Sequence, residues 1–326
     1  MKEILNTLFE HKTLSFNQAK EVLINIASAK YNSSQVAAFM SVYLMRRIVV
    51  DELSGFREAM LDLCLKIEFD TNETIDIVGT GGDGKNTFNI STLSCFVAAG
   101  AGIKVTKHCN YGVSSVSGSS NVLETIGYTF TNDKNSLQKQ LDKTGLCFMH
   151  APLFHPAMKN VAPVRKELGV RTFFNILGPI VNPCFPKFQL LGVYNLEMAR
   201  LYNYLLQNTT NEYVIVHSLD GYDEISLTGK YKMISRDKEQ TIESVKKLKQ
   251  EDLFGGSSDQ ASKIFMNVLR GEGTTAQNEV VVANGGMAIH CVMKNMSMED
   301  CNSMARESLE SKKALDVYNK LISLAK

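Results

Sequence analysis

Ile75-Asp76-Ile77-Val78-Gly79-Thr80-Gly81-Gly82-Asp83-Gly84-Lys85-Asn86-Thr87-Phe88-Asn89-Ile90-Ser91-Thr92 is the stretch on which the reading of this chain turns. A short apolar strand runs into four glycines and then into a series of hydroxyl and amide side chains. Glycine lets the backbone turn sharply and brings its N–H groups close to an anion. Asn89, Ser91 and Thr92 add side-chain donors just ahead of the apolar run Leu93 to Ala101. That run is predicted to be a helix over 93–101 whose start faces the anion. The segment reads as a phosphate cradle.

Two better-known loops nearly fit. Gly79-x-Gly81-x-x-Gly84 has the spacing of a dinucleotide fingerprint, which requires an acidic residue near the end of the next strand for a ribose hydroxyl. Here the next strand, expected at Ile103 to Thr106, is flanked by Lys104 and Lys107. Gly79 to Lys85 also follows a Walker A loop until Asn86, where Ser or Thr should meet magnesium and a helix should already have begun. The β-branched and aromatic residues of Thr87 to Ile90 favour extended backbone instead. A tight turn that binds nothing accounts for Gly79 to Gly84 alone, but not for the polar run behind it.

A 326-residue chain with 44% hydrophobic residues can bury a large core and divide into two domains. Thirty-five basic against 34 acidic residues leave a net charge of +1, which gives no global attraction to nucleic acid or to an acidic membrane. Seven cysteines lie scattered without CxxC spacing, against a zinc cluster or a disulfide framework and in favour of a reducing compartment. Met1 to Phe9 lacks the apolar core of a secretory signal, and no stretch approaches a membrane span. A cytoplasmic protein without membrane or nucleic-acid partners is expected.

Residues 1–70 carry apolar residues at helical spacing, with candidate caps at Ser15 and at Ser33 or Ser34, and are read as a helical domain. From Thr74 onward strands alternate with helices: Ile75 to Val78, the helix over 93–101, Ile103 to Thr106, a helix near Val122 to Ile126, and Leu146 to His150. Phe188 to Tyr194, a helix over Ala199 to Leu206 and the strand Glu212 to His217 continue the series, and the tail from about 297 returns to helix. The fold class is α/β: a small helical N-terminal domain and a larger α/β domain, 71–326, with a mostly parallel central sheet.

A second loaded segment, Lys107-His108-Cys109-Asn110-Tyr111-Gly112-Val113-Ser114-Ser115-Val116-Ser117-Gly118-Ser119-Ser120-Asn121, follows the strand after the glycine loop. In a parallel sheet the C-terminal strand ends share one edge, so the two loops should meet across a crevice. Lys107 offers a point charge, and the serines offer donors, for a second phosphate-bearing group.

With both loops in view, the chain resembles the anthranilate phosphoribosyltransferases. Their pattern is GTGGDG, then T-F-N-x-S-T, then KHGN with a trailing SS-x-SGS, then V-R-x-E-L-G-x-R-T-x-F-N-x-L-G-P-x-x-N-P, and finally D-G-x-D-E. Here stand Gly79 to Gly84, Thr87 to Thr92, Phe154-His155-Pro156-Ala157-Met158, Val164 to Pro183, and Asp220-Gly221-Tyr222-Asp223-Glu224. The order and spacing hold over nearly the whole chain, and the ordered set is far more specific than any one piece.

The resemblance implies the fold shared with pyrimidine nucleoside phosphorylases, in which a segment near 172–188 completes the helical domain and that domain carries a homodimer. It implies transfer of the phosphoribosyl group of 5-phosphoribosyl 1-pyrophosphate to anthranilate, in tryptophan biosynthesis. Carried over by position, Gly79, Gly82, Asp83, Thr87, Asn89, Ile90, Ser91 and Thr92 of the first loop would hold phosphoribosyl pyrophosphate. Lys107, Ser115 and Ser119 of the second would join them. Anthranilate would be met by Gly79, Asn110 and Arg165, and Mg²⁺ by Ser91, Asp223 and Glu224. A planar guanidinium can grip a carboxylate bidentately, and hard carboxylate oxygens suit magnesium.

His108, Asn110 and Arg165 are the residues placed nearest the chemistry. His108 either accepts a proton late or only shapes its loop, because the neutral arylamine already has a lone pair. Cys109 stands where KHGN has glycine, and a positive φ there would strain it. Tyr111 and Val116 replace residues that are commonly Arg and Lys, which leaves less positive charge for pyrophosphate. A nucleoside phosphorylase would not be expected to carry the Arg165 segment or the Asp223-Glu224 pair. A nucleic-acid-binding relative would call for a basic groove.

Overall fold

A computed structural model describes residues 1–112, 118–244 and 246–325 of the chain. They form two compact units, Met1–Ile67 with Ala151–Pro183 and Glu68–His150 with Cys184–Lys326. The returning segment of the first unit starts at Ala151, well before the expected 172, and ends before 188. Its helices α8 (Ala151–Phe154), α9 (Ala162–Leu168) and α10 (Phe174–Leu177) are too short to show a 3.6-residue period in sequence. Phe188 instead opens a strand of the second unit.

The first unit also contains α1 (Lys2–Phe9), α2 (Phe16–Ala27), α3 (Ser33–Met45) and α4 (Val50–Leu63). Ser15 caps α2 in a reciprocal box with Gln18. The cap of α3 is Asn32, not Ser33 or Ser34, because Gln35 lies three residues on and returns a bond to the Asn32 N–H. Phe39, Tyr43, Phe56 and Phe173 form an aromatic cluster with ring centroids 4.6–6.0 Å apart. Beneath it Glu52, fully buried, accepts from the Leu14 N–H at 2.9 Å, the Tyr43 hydroxyl at 3.2 Å and Arg46 Nη1 at 2.9 Å.

The second unit is built on a seven-stranded sheet in the order β3-β2-β1-β4-β5-β6-β7. Parallel neighbours are β1 (Ile75–Gly79), β2 (Val105–Cys109), β3 (Leu146–His150), β4 (Phe188–Gly192) and β5 (Glu212–Ser218). Strands β6 (Tyr231–Ser235) and β7 (Glu239–Ile242) add an antiparallel edge that the sequence reading did not contain. The strands in the middle are buried on both faces, and the alternation that marks a half-exposed strand is absent from them.

That double burial explains why β2 runs from Val105 to Cys109 and not from Ile103 to Thr106. Its polar residues are inside and partnered. Thr106 Oγ1 meets Thr74 Oγ1 at 2.9 Å, the Lys107 ammonium donates to the Ile77 carbonyl, and the His108 N–H donates to Asp76 Oδ1 at 3.1 Å.

Helix α5 spans Ile90–Gly100, three residues longer at its start than expected. Asn89 turns the chain with φ +62°, and fully buried Ile90 anchors the first turn, so packing overrides local β propensity. Around the sheet lie α6 (Ser119–Thr125), α7 (Lys134–Thr144), α11 (Leu196–Gln207), α12 (Ser258–Arg270), α13 (Thr275–Val292), α14 (Met298–Glu310) and α15 (Lys313–Leu324). Helix α13 buries Val280–Val282 and Asn284–Ile289 and so has no polar stripe to betray it in sequence. Among the described residues no helix is long and apolar enough to cross a membrane.

Glu52→Ala should lower unfolding free energy by about 3 kcal/mol, because it strands the buried partners of one carboxylate. A urea midpoint equal to that of the unmodified protein would contradict this.

Candidate functional site

The glycine loop leaves β1 at Gly79 and reaches α5 through left-handed turns at Gly81, Gly82, Gly84, Asn86 and Asn89, with φ between +49° and +79°. Such a run aims successive N–H groups to one side, which is the geometry of an anion nest. Its outer side is pinned by the segment before α12. Gly255 N–H donates to the Asn86 carbonyl at 2.7 Å, Asn86 Nδ2 donates to the Gly256 carbonyl at 3.0 Å, and Thr87 pairs with Phe254.

The Asp223-Glu224 pair sits over this loop. Asp223 Oδ2 accepts the Gly81 N–H at 2.6 Å, and Glu224 Oε1 lies 3.4 Å from the Thr87 hydroxyl and 3.5 Å from the Ser91 hydroxyl. The seat is made by two glycines in register, Gly79 of β1 and Gly192 of β4. A Cβ on Gly79 would come within 2.4 Å of Asp223 Oδ2, and one on Gly192 within 1.7 Å of the Asp223 carbonyl oxygen. These strands flank the point where the strand order reverses, the place where open parallel sheets take ligands.

Behind the pair the chain is tied twice. Ser218 Oγ donates to the Glu224 carbonyl at 2.6 Å, and Asn284 of α13 holds Ile225 on both sides, accepting its N–H at 3.0 Å and donating to its carbonyl at 2.8 Å. In front, the Lys85 ammonium lies 4.6 Å from the Tyr222 ring centroid and joins the glycine loop to the acidic one.

Asp83 completes a crowd of carboxylates. It accepts the Lys85 N–H through Oδ1, while its Oδ2 and Glu224 Oε2 are buried and make no hydrogen bond among the described residues. Burial, then the nearby Asp83 charge, push Asp223 up to about 7. Burial followed by Asp223 and Asp83 push Glu224 well above the ordinary carboxylate range, against an opposing pull from Thr87 and Lys107. Crowded carboxyl groups of this kind favour a cation. Among the described residues no three acidic, His or Cys side chains form a closed metal cage. That donor set fits magnesium, which is held by one or two carboxylates and completes its shell with water and phosphate oxygens.

The second loop rises from β2 beside β1. Its described ends are Asn110 to Gly112 and Gly118 onward, and Ser115 and Val116 lie outside the described residues. The Ser119 hydroxyl bonds to both the N–H and the carbonyl of Asn110, at 3.3 and 3.2 Å. Asn121 Oδ1 accepts from Gly112 and Gly118, each at 3.0 Å, and closes the neck. Tyr111, where the resemblance has Arg, donates to Glu124 at 2.8 Å and meets the His150 ring edge-on at 5.0 Å.

Three expectations change here. Lys107 does not stand at the loop: it is 3% exposed inside β2, and its charge reaches Glu224 from below. His108 is likewise a buried strand residue, 5% exposed, which disfavours proton exchange with a bound amine. Cys109 lies in extended strand, so no left-handed strain arises, and burial raises its thiol to about 12. Ile90 and Thr92 are buried in the first turn of α5, and only their backbone remains to face an anion.

Arg165 belongs to the other unit, on α9. It is half-buried, its Nη2 donates to Asn175 Oδ1 at 3.4 Å, and its guanidinium lies 5.3 Å from the Phe174 ring centroid. Burial lowers its pKa with no carboxylate to offset the shift. Sequence reasoning missed Gly192, Ser218 and Asn284. The only trace of the last is a lone amide within the otherwise small and apolar run Val280 to Ile289.

Residues 71–315 match the glycosyl transferase family, a/b domain, and residues 2–64 match its helical bundle domain. Over its whole length the chain is 56% identical to the anthranilate phosphoribosyltransferase of Christiangramia forsetii and 57% to that of Flavobacterium psychrophilum, covering 99% and 100% of those proteins. Among solved structures it is similar to the anthranilate phosphoribosyltransferase of Thermus thermophilus, with a TM-score of 0.91, 29% identity and 98% of each chain covered. The Saccharomyces cerevisiae enzyme in complex with PRPP and Mg gives a TM-score of 0.90 at 26% identity, with 98% of this chain and 96% of that one covered.

The burial of all seven thiols has a direct readout. At pH 8 the native protein should leave DTNB essentially unreduced for minutes and release seven equivalents only after denaturation. Rapid native labelling at Cys109 would contradict the buried-strand assignment.

Proposed function

The chain belongs to the anthranilate phosphoribosyltransferase family, and from that membership we propose how its residues divide the reaction among them. The reaction moves the phosphoribosyl group of 5-phosphoribosyl 1-pyrophosphate onto the amine of anthranilate, a step of L-tryptophan biosynthesis. It yields N-(5-phosphoribosyl)anthranilate and pyrophosphate. The observation that carries the assignment of roles is the seating of Asp223 and Glu224 over the glycine loop, at the Gly81 N–H and the Thr87 and Ser91 hydroxyls.

The arylamine is neutral near pH 7 and attacks the ribose C1 directly. A C–N bond forms as the C1–O bond to pyrophosphate breaks, and the amine proton leaves afterwards to solvent or to the departing pyrophosphate. The work of the protein is alignment and stabilisation of the leaving charge. The nest from Gly79 to Asn89 and the start of α5 take the phosphates, with the Thr87, Asn89 and Ser91 side chains on the rim. Asn110 and Ser119 contribute from the second loop. Ser91, Asp223 and Glu224 would hold Mg²⁺, with Asp83 beside them. When bound, the cation neutralises the leaving pyrophosphate.

Anthranilate is assigned to Gly79, Asn110 and Arg165. Arg165 supports this role because it is half-buried with an amide and a ring beside it and no acidic partner, as a guanidinium kept for a ligand carboxylate should be. His108 is assigned a structural part in β2. The buried free cysteines support a reducing, cytoplasmic setting. Exposed Phe9, Leu44 and Met45 on the helical unit support a homodimer through it, which sedimentation equilibrium would test against a monomer mass.

Mixing the protein with anthranilate, phosphoribosyl pyrophosphate and Mg²⁺ should extinguish anthranilate fluorescence, whereas uracil or thymidine with phosphate should give no turnover. Arg165→Ala should raise the anthranilate KM by about 30-fold, as expected for loss of a charge-assisted pair, and leave the phosphoribosyl pyrophosphate KM nearly unchanged. Equal losses for both substrates would refute its role. Replacing Asp223 and Glu224 together with Asn and Gln should abolish magnesium-dependent turnover, and unaltered metal dependence would exclude them.

A further inference from the structure

Two residues outside the loops account for where the acidic pair stands. Asp223 and Glu224 lie in a loop without regular structure, shortly after β5 ends at Ser218, yet both are only 6% exposed. A buried loop must have its backbone groups satisfied. Asn284 does this for Ile225, the residue next to Glu224: one amide side chain accepts the Ile225 N–H and donates to the Ile225 carbonyl, as a neighbouring strand would. Asn284 is itself 4% exposed and tied to its own helix at the Val280 carbonyl, 2.8 Å away, so it is a rigid support. Gly192 limits the pair from the other side. The Asp223 carbonyl rests where a Cβ on Gly192 would be, and any larger residue at the end of β4 would push the segment off the sheet.

We propose that Asn284 and Gly192 are positioning residues that fix the Asp223-Glu224 carboxylates for the cation before it arrives, Asn284 by clamping Ile225 and Gly192 by leaving room for the Asp223 backbone. The inference rests on the metal-holding role given to the pair above. Partners of this kind set ligand direction, and their loss commonly costs about 10- to 100-fold in metal affinity. Neither residue touches a reacting atom, so their removal moves the magnesium requirement first.

In Asn284→Ala the Mg²⁺ concentration for half-maximal turnover should rise about tenfold or more, with the anthranilate KM within about twofold and most of kcat recovered at saturating Mg²⁺. Gly192→Ala should do the same through an independent contact. Asn284→Ser keeps a neutral donor and acceptor at this position and serves if the alanine variant does not fold. A kcat loss that excess Mg²⁺ does not repair, or an unshifted requirement in folded variants, would overturn the proposal. If the double variant at 223 and 224 keeps the normal metal response, the metal role itself fails. If only the 284 and 192 variants do, the positioning role alone fails.

A measurement on the unmodified protein needs no variant. Hydrogen exchange of the Ile225 amide, without substrate or metal, should be as slow as that of the β5 amides. Exchange within seconds that slows only when Mg²⁺ and phosphoribosyl pyrophosphate are added would show that nothing holds the pair in advance.

Discussion

Two parallel strands end in glycine at the same level, and Asp223 occupies the space their side chains would have filled, its carbonyl at Gly192 and its carboxylate at Gly79. Much of the site depends on that close approach. It lets a loop from the far side of β5 reach across the point where the strand order reverses, and it places acidic side chains over a nest of backbone N–H groups. A Cβ on Gly192 would collide with the Asp223 backbone, and one on Gly79 would turn its carboxylate aside. The sheet therefore acts as a ruler: its register decides how far the glycine loop stands from the carboxylates.

The interior beneath this seat is unusually polar for a parallel sheet. Asp76, Thr106, Lys107 and His108 lie buried within β1 and β2, and the Lys107 charge is felt by Glu224 without reaching the surface. Buried ionic groups are costly unless they are partnered. Here the partners are backbone groups: the Ile77 carbonyl takes the ammonium, and Asp76 takes the N–H of His108. The arrangement presets the electrostatics of the crevice floor. A preset surface of this kind needs little reorganisation, which is where a reaction governed by departure of an anion gains most.

The parts of the site that sequence revealed are those whose chemistry is local. A glycine run with hydroxyl and amide residues behind it specifies a nest wherever it occurs, because positive φ angles and N–H direction depend on neighbours in the chain. The acidic pair was legible as part of an ordered pattern of motifs. Strand β2 was misplaced by two to three residues because its polar members are buried, and periodicity reads polarity as exposure. Helix α13 left no amphipathic trace for the opposite reason, being covered all round. Asn32 caps α3 although two serines follow it, because the residue three positions on, Gln35, decides between them.

Sequence by itself determined the class of the fold, the left-handed glycine loop and the family, since these rest on short-range residue chemistry and on an order of motifs along the chain. Tertiary structure alone decided that Lys107 and His108 are buried strand residues, that Cys109 is an inert thiol, and that Gly192 and Asn284 frame the carboxylates. Those facts depend on which surfaces are covered and on contacts between residues far apart in the chain, such as Asn284 and Ile225, 59 positions from each other. No local pattern encodes such a distance, because it is set by the packing of α13 over the central strands of the sheet.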